Sequence, residues 1–345
     1  MKNRKLHIEL IRIFAICMTI MVHVSNLYIV KFPNIKNVDF LISVIYNALA
    51  RVCVPLFFMI SGIFLIRGEY DSKKYWRRIW KFVLILAVWS LIYYLRKHGF
   101  VLQNIGKDFI ITLFEPKMTS SHLWYMYALI GLYIALPFIQ NMCRNMSREQ
   151  ENLFIGLWAG LSGLDAVYMP LVKLITGQSV SVKYPIPIVY ATYYLGYFVC
   201  GYILYNRLKE VKGTAKRNRL CVATYLLTSI VSALITYFVS IKQNVRFEAM
   251  VWYRGILVIV ATFSIFIFVV MNEEKIKGEG IAKVAGLTFG VYLSHYLFII
   301  DMKKWIDVSG YTPAIFIPVV TVVIYIASLG LSWVVKRIPI LKELM

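Results

Sequence analysis

The sequence is a succession of apolar runs, each close to the ~20 residues that a helix needs to cross a bilayer. They fall at about 8–30, 40–66, 79–96, 122–142, 151–170, 188–206, 219–240, 248–270, 283–301 and 312–334. The expected fold class is therefore all-α: a polytopic membrane helix bundle of about ten transmembrane helices, forming one domain over 1–345. Charge is confined to short blocks between the runs. Only 16% of residues are charged and 60% are hydrophobic, against about 25% and 45–50% in soluble chains. The mean hydropathy is +0.68.

The net charge of +21 would suggest nucleic acid in a soluble protein. Here the Lys and Arg residues sit in the turns between spans, which is a topology signal, and no basic surface interleaved with aromatics is visible. No nucleic-acid partner is expected; the surroundings are membrane lipids. An even number of spans places both termini on one side. The connectors at 67–78, 143–150, 207–219 and 271–282, with the termini, hold more Lys and Arg than those at 31–39, 97–121, 171–187, 241–247 and 302–311. The positive-inside rule then predicts cytoplasmic termini in a plasma membrane. Within 97–121, the stretch DFIITLFEP suits an interfacial helix on the outer surface. The first run follows Lys2, Arg4 and Lys5 as a signal peptide would, but it is long and lacks a cleavage site, so it reads as a retained span. Cys17, Cys53, Cys143, Cys200 and Cys221 show neither metal-ligand spacing nor a disulfide framework. No metal is expected.

An ionisable residue at bilayer depth is costly, and it marks a site unless it is paired or reaches the interface. Arg12 and His23 lie eleven residues apart in the first run. Eleven steps of about 100° return to within roughly 20° of one face, and the axial separation is ~16 Å. Arg12 could also snorkel, and His23 could be a helix–helix hydrogen bond. Arg51 lies in ARVCVPLFFMISGIFLI, near mid-membrane, where it could bind an anion or fix a neighbouring carboxylate. Pro55 is expected to kink this helix, and Ser61-Gly62 to allow close packing. His122, Trp124 and Tyr125 open the fourth run as an aromatic belt or as the rim of a polar cavity. His295, in GVYLSHYLF, could be a satisfied buried histidine or a site residue. Arg254, in VWYRGIL, is close enough to the outer surface to snorkel. Lys73, Lys74, Arg77 and Arg78 fit the topology rule alone, or could hold a nucleotide phosphate.

Six segments, in order, resemble acyltransferase family 3, integral membrane enzymes that O-acetylate bacterial surface polysaccharides. They are IELIRIFAICMTIMVHVSN with its Arg-x10-His pattern, ARVCVPLFFMISGIFL, KKYWRRIWK, HLWYMYALIGLYIALP, GVYLSHYLFI and the last span ending KRIPILKEL. The resemblance implies a membrane O-acetyltransferase that takes an acyl group from cytoplasmic acetyl-CoA. The acceptor would be a hydroxyl of a cell-surface glycan or a lipid-linked saccharide precursor. By the same resemblance His23 is the catalytic base or transient acyl carrier. Arg12 binds the donor's phosphate or pantetheine region. Arg12 and Arg51 line the same cavity. On their residue types and positions alone, His122, Trp124, Tyr125 and His295 are further candidates for the substrate site, and Lys73, Arg77 and Arg78 for the donor nucleotide's phosphate.

Many family members carry an extra hydrolase-like domain after the last span. The sequence ends about ten residues after its own, so either the bundle completes the transfer or a separate extracytoplasmic partner does. Similar membrane domains occur in vancomycin-resistance serine racemases, which implies a serine transporter as the alternative. A polysaccharide exporter is a related reading. A purely structural scaffold would have no use for Arg51 or the Arg12–His23 alignment.

Overall fold

The structure, a computed structural model, describes residues 5–99, 109, 113, 120–176, 188–339 and 341–344; the side chains of 165–167, 169–176, 188–192 and 279 are not described. Thirteen α-helices occur among the described residues, with no strand. They are α1 (Leu6–Ile29), α2 (Asn37–Ala50), α3 (Cys53–Arg67), α4 (Ser72–His98), α5 (Trp124–Ile134), α6 (Leu136–Asn145) and α7 (Arg148–Thr176). Then follow α8 (Ile188–Leu208), α9 (Ala215–Gln243), α10 (Ile256–Met271), α11 (Glu279–Ala285), α12 (Thr288–Trp305) and α13 (Pro313–Val335).

The all-helical bundle is as expected; the count of ten spans is not reached. Among the described residues six spans are long and apolar enough to cross a membrane, and a seventh counts if α5 and α6 are one span. Three of the expected runs, α7, α8 and α12, fall outside this set. Helix α8 carries six tyrosines, and α12 carries Asp301, Lys303 and Lys304. Both pack inside the bundle, where Tyr197, Phe198, Leu293 and His295 have no exposed surface. A helix shielded by other helices meets protein rather than lipid and need not be apolar all round. The interfacial helix expected at 108–116 lies outside the described residues, apart from 109 and 113.

Two prolines shape the site. Pro55 removes a backbone donor, and its ring collides with the carbonyl four residues earlier, at Arg51. The expected kink is a break at that residue: α2 ends at Ala50 and α3 begins at Cys53, with the two still counting as one span over Asn37–Arg67. Pro137 acts likewise. The run at 122–142 is bent by 63° between α5 and α6. Gln140 on α6 donates to the Leu65 and Gly68 carbonyls at 2.7 and 2.8 Å, and Arg144 donates to Gly68 at 2.6 Å. These bonds satisfy carbonyls that α3 leaves open at its C-terminus.

Helices α3 and α8 meet backbone to backbone. A Cβ on Gly62 would stand 1.8 Å from the Phe198 carbonyl oxygen, and one on Gly201 would stand 2.3 Å from that of Met59. The close approach foreseen at Ser61-Gly62 is thus made against α8, the small-residue packing that helices use where lipid supplies no hydrophobic drive.

Candidate active site

Helix α1 is the spine of the site. It runs unbroken from Leu6 to Ile29, so Arg12 and His23 keep the register that an ideal helix gives them. Arg12 borders a cavity of about 320 Å³, walled by Phe57, Ser61, Phe82, Tyr125, Thr288 and Tyr292 among others. His23 borders a second, smaller cavity of about 40 Å³, shared with Thr19, Val22, Val54, His122, Trp124 and Tyr253. Phe57, Tyr125 and Tyr292 line both. They form a three-ring partition between an Arg12 chamber and a His23 chamber. The Tyr125 ring lies 6.0 Å from that of Phe57 and 5.5 Å from that of Tyr292, centroid to centroid.

His23 does not stand alone. The His295 ring is 5.4 Å away and the His122 ring 6.5 Å away, and those two are 4.9 Å apart. Three imidazoles from α1, from the segment before α5 and from α12 thus face one another. Their protonation is partly fixed. His295 Nδ1 lies 2.7 Å from the Tyr292 carbonyl and 3.2 Å from that of Val291. Carbonyls only accept, so Nδ1 carries a proton, and in the neutral ring Nε2 keeps a lone pair. That Nε2 is buried and without a partner among the described residues, as is His122 Nε2. Buried polar atoms are normally satisfied, so two such nitrogens beside His23 describe a place for something polar. Among the described residues no group of three or more His, Cys, Asp or Glu is arranged to hold a metal ion.

Hydrogen bonds hold the histidines in place. The Ser120 hydroxyl lies 2.7 Å from His122 Nδ1. Tyr292 donates to the His122 carbonyl at 2.8 Å, and Tyr93 donates to the Leu293 carbonyl at 2.8 Å. Tyr296 adds a ring 5.1 Å from His23 and 5.3 Å from His122. Tyr93, Tyr292 and Tyr296 are not singled out by the sequence. A signal for two of them lay beside His295: positions 292, 295 and 296 share one helical face.

Arg51 sits at the α2–α3 break. No carboxylate pairs with it among the described residues, so the expected fixed carboxylate is replaced by an amide. Its Nε donates to Asn47 Oδ1 at 2.7 Å. Asn47 in turn donates to the Val22 carbonyl at 3.2 Å and to the Ser25 hydroxyl at 2.9 Å. The guanidinium carbon lies 5.5 Å from the centre of the Tyr253 ring, where a cation is attracted to the π face. Trp124, Tyr194 and Tyr253 continue the aromatic wall, with Trp124 5.0 Å from Tyr194 and 6.0 Å from Tyr253. Arg254 lies 4.3 Å from the centre of the Trp252 ring.

At the other end, Arg12 Nη1 donates to Glu9 Oε2 at 2.9 Å, so it is a paired cation at the cavity edge. Arg78 precedes the lining residue Phe82 by four positions and shares its face of α4. Lys73 and Arg77 are exposed on other faces of that helix. Lys74 pairs with Asp71 at 2.9 Å. The structure therefore gathers His23, His122, Trp124, Tyr125 and His295 in one place with Arg51 on its aromatic wall. Arg12 lines the larger chamber, and Arg78 is exposed one turn from its lining residue Phe82.

The acyltransferase domain model of acyltransferase family 3 matches residues 6–337, and the chain belongs to that family. An "Amino-acid racemase" of Enterococcus faecalis is 24% identical over 332 residues, which are 91% of this chain and 43% of the relative. The chain thus spans less than half the length of that curated relative. No solved structure matches.

Proposed function

We propose that the protein moves an acyl group from cytoplasmic acyl-CoA, as acetyl-CoA, to a hydroxyl of a surface glycan or its lipid-linked precursor. One observation carries this reading: Arg12 and His23 line two chambers that share a wall of three aromatic rings. The donor's pantetheine arm fits the larger, mostly apolar chamber, with Arg12 and Arg78 toward its phosphates and Lys73 and Arg77 at the same end. The thioester reaches the partition and its carbonyl enters the His23 chamber.

The chemistry balances without a further reagent. His23 accepts the proton of the acceptor hydroxyl as the oxygen attacks the thioester carbonyl. The C–O bond forms, the C–S bond breaks, and the imidazolium returns its proton to the departing CoA thiolate. In the stepwise variant the unprotonated His23 nitrogen attacks the thioester, the C–S bond breaks and the CoA thiolate leaves; the acceptor hydroxyl then attacks the acyl-imidazole, the C–N bond breaks and the hydroxyl proton passes to the thiolate. The developing oxyanion needs a donor worth about 3 kcal/mol, and His122, Tyr125 and Arg51 are the candidates. The acceptor meets His23 from the side of Trp124, Tyr253 and Arg51. The bundle completes the transfer itself or passes the acyl group to an extracytoplasmic partner, and its termini lie in the cytoplasm.

His23→Ala tests this. Loss of a positioned base costs roughly 10²–10⁴-fold. Surface O-acetyl content should collapse in cells that still accumulate the variant at normal levels. Unchanged O-acetylation would overturn the reading. A second reading is serine transport, which the resemblance to serine-racemase membrane domains implies; the relative named an amino-acid racemase hints in that direction. Serine uptake into proteoliposomes without any acyl-CoA would support it.

A further inference from the structure

We propose that the small chamber beside His23 measures the length of the acyl group, with Val22 and Val54 as the stops. The proposal rests on the acyl-transfer reading and goes further, because it names the side chains that set donor choice. The chamber holds about 40 Å³. A water-sized occupant needs roughly 10–15 Å³ measured this way, so there is room for about three heavy atoms. An acetyl group has three: a methyl, a carbonyl carbon and an oxygen. A propionyl group has one more.

The position of the walls makes this a length gauge rather than only a small space. Phe57, Tyr125 and Tyr292 separate the chamber from the larger one. Val22 precedes His23 on α1, and Val54 stands one turn before Phe57 on α3. Both line the small chamber and not the larger one. A chain that enters past the partition and presents its carbonyl to His23 has Val22, next to His23 in sequence, and Val54 among the side chains that bound its tail. They cannot easily give way. Val22 and Val54 are each 7% exposed, and β-branched side chains in helices are held to essentially one rotamer. The Val22 carbonyl is itself held by Asn47. The pantetheine arm of CoA, by contrast, remains in the 320 Å³ chamber, so total donor size is not what is measured.

The test compares acetyl-, propionyl- and butyryl-CoA as donors. The protein is reconstituted in membrane vesicles with envelope extract as acceptor source. Free CoA thiol and acylated product are both measured. Wild type should use acetyl-CoA about 10- to 200-fold better than propionyl-CoA, the usual penalty for one methylene too many. Val22→Ala and Val54→Ala each remove two methyl groups, and each should raise the propionyl-to-acetyl ratio at least about tenfold. Val323→Ala, exposed on α13, should leave the ratio where it was. A wild-type ratio near one overturns the proposal with no variant needed. Unchanged ratios in both alanine variants overturn it as well, while leaving the acyl-transfer reading intact. If wild type releases no thiol from any of the three donors, both fall.

Discussion

Tyr125 on α5 and Tyr292 on α12 stand with ring centroids 5.5 Å apart, and each lines both chambers. Their contact is the seam between the end of the bundle that holds Arg12 and the end that holds His23. Tyr292 also donates to the His122 carbonyl, so one side chain closes the seam and positions a member of the histidine cluster.

The two roles separate by substitution. Tyr292→Phe keeps the ring and removes the 2.8 Å hydrogen bond, which costs about 1 kcal/mol of stability. Acyl transfer should fall only a few-fold. Tyr292→Ala removes the ring, costs about 3–5 kcal/mol, and joins the chambers. It should release CoA thiol from acetyl-CoA faster than it acylates acceptor, because water then reaches the thioester. Parallel assays of thiol and product decide the matter; equal coupling in both variants would count against the seam.

Asn47 has no counterpart among the residues that the sequence singles out. Asn47→Ala removes the acceptor for Arg51 Nε and the donor to the Val22 carbonyl. A displaced guanidinium beside the aromatic wall should lower turnover by about 10²-fold, the usual effect of an ångström-scale misplacement. Asn47→Asp keeps the acceptor and should retain more of the activity. Equal loss in both variants would argue against the positioning role.

Gly62→Ala forces a Cβ to within 1.8 Å of the Phe198 carbonyl oxygen. The backbones of α3 and α8 must separate, at about 1–3 kcal/mol or more. The thermal midpoint of the detergent-solubilised protein should fall by several degrees. Gly156→Ala, which meets nothing within 4 Å, should not lower it.

One ion pair outside the spans gives a pH signature. Lys31 Nζ lies 2.6 Å from Asp307 Oδ1. Hydrogen bonds from Lys31 and from the Ser309 backbone bring the Asp307 pKa down to about 2 from its ordinary 3.8. The folded state thus binds this proton less readily than the unfolded state. The pair contributes fully above pH 3.8 and loses its contribution as pH falls from there through about 2. Asp307→Asn should differ slightly from wild type above pH 4 and converge with it near pH 2. Because the pair is exposed, salt should shrink the difference.

How much of this is legible in the sequence depends on the range of the forces involved. The α1 register of Arg12 and His23 follows from helix geometry alone. The break at Arg51 follows from Pro55, because a proline acts on the carbonyl four residues before it. Gly62 announces a close approach, though not that Phe198 is the partner. The meeting of His23 with His122 and His295 is not legible. Helices that are apolar on most faces carry no stripe to say which neighbours they choose. The same ambiguity leaves the span count open, since α8 and α12 read as membrane spans by run but are packed inside the bundle. Asn47 escapes because a neutral amide in an apolar run carries no charge to draw attention to it.

The backbone contact between α3 and α8 has a mechanical consequence. With no side chain between Gly62 and Phe198, or between Gly201 and Met59, the two helices have no lubricating layer and must travel as one plate. Phe57 rides on that plate. Passage between the chambers therefore falls to the hinged rings facing it, Tyr125 and Tyr292, whose χ angles can turn while the plate stays still.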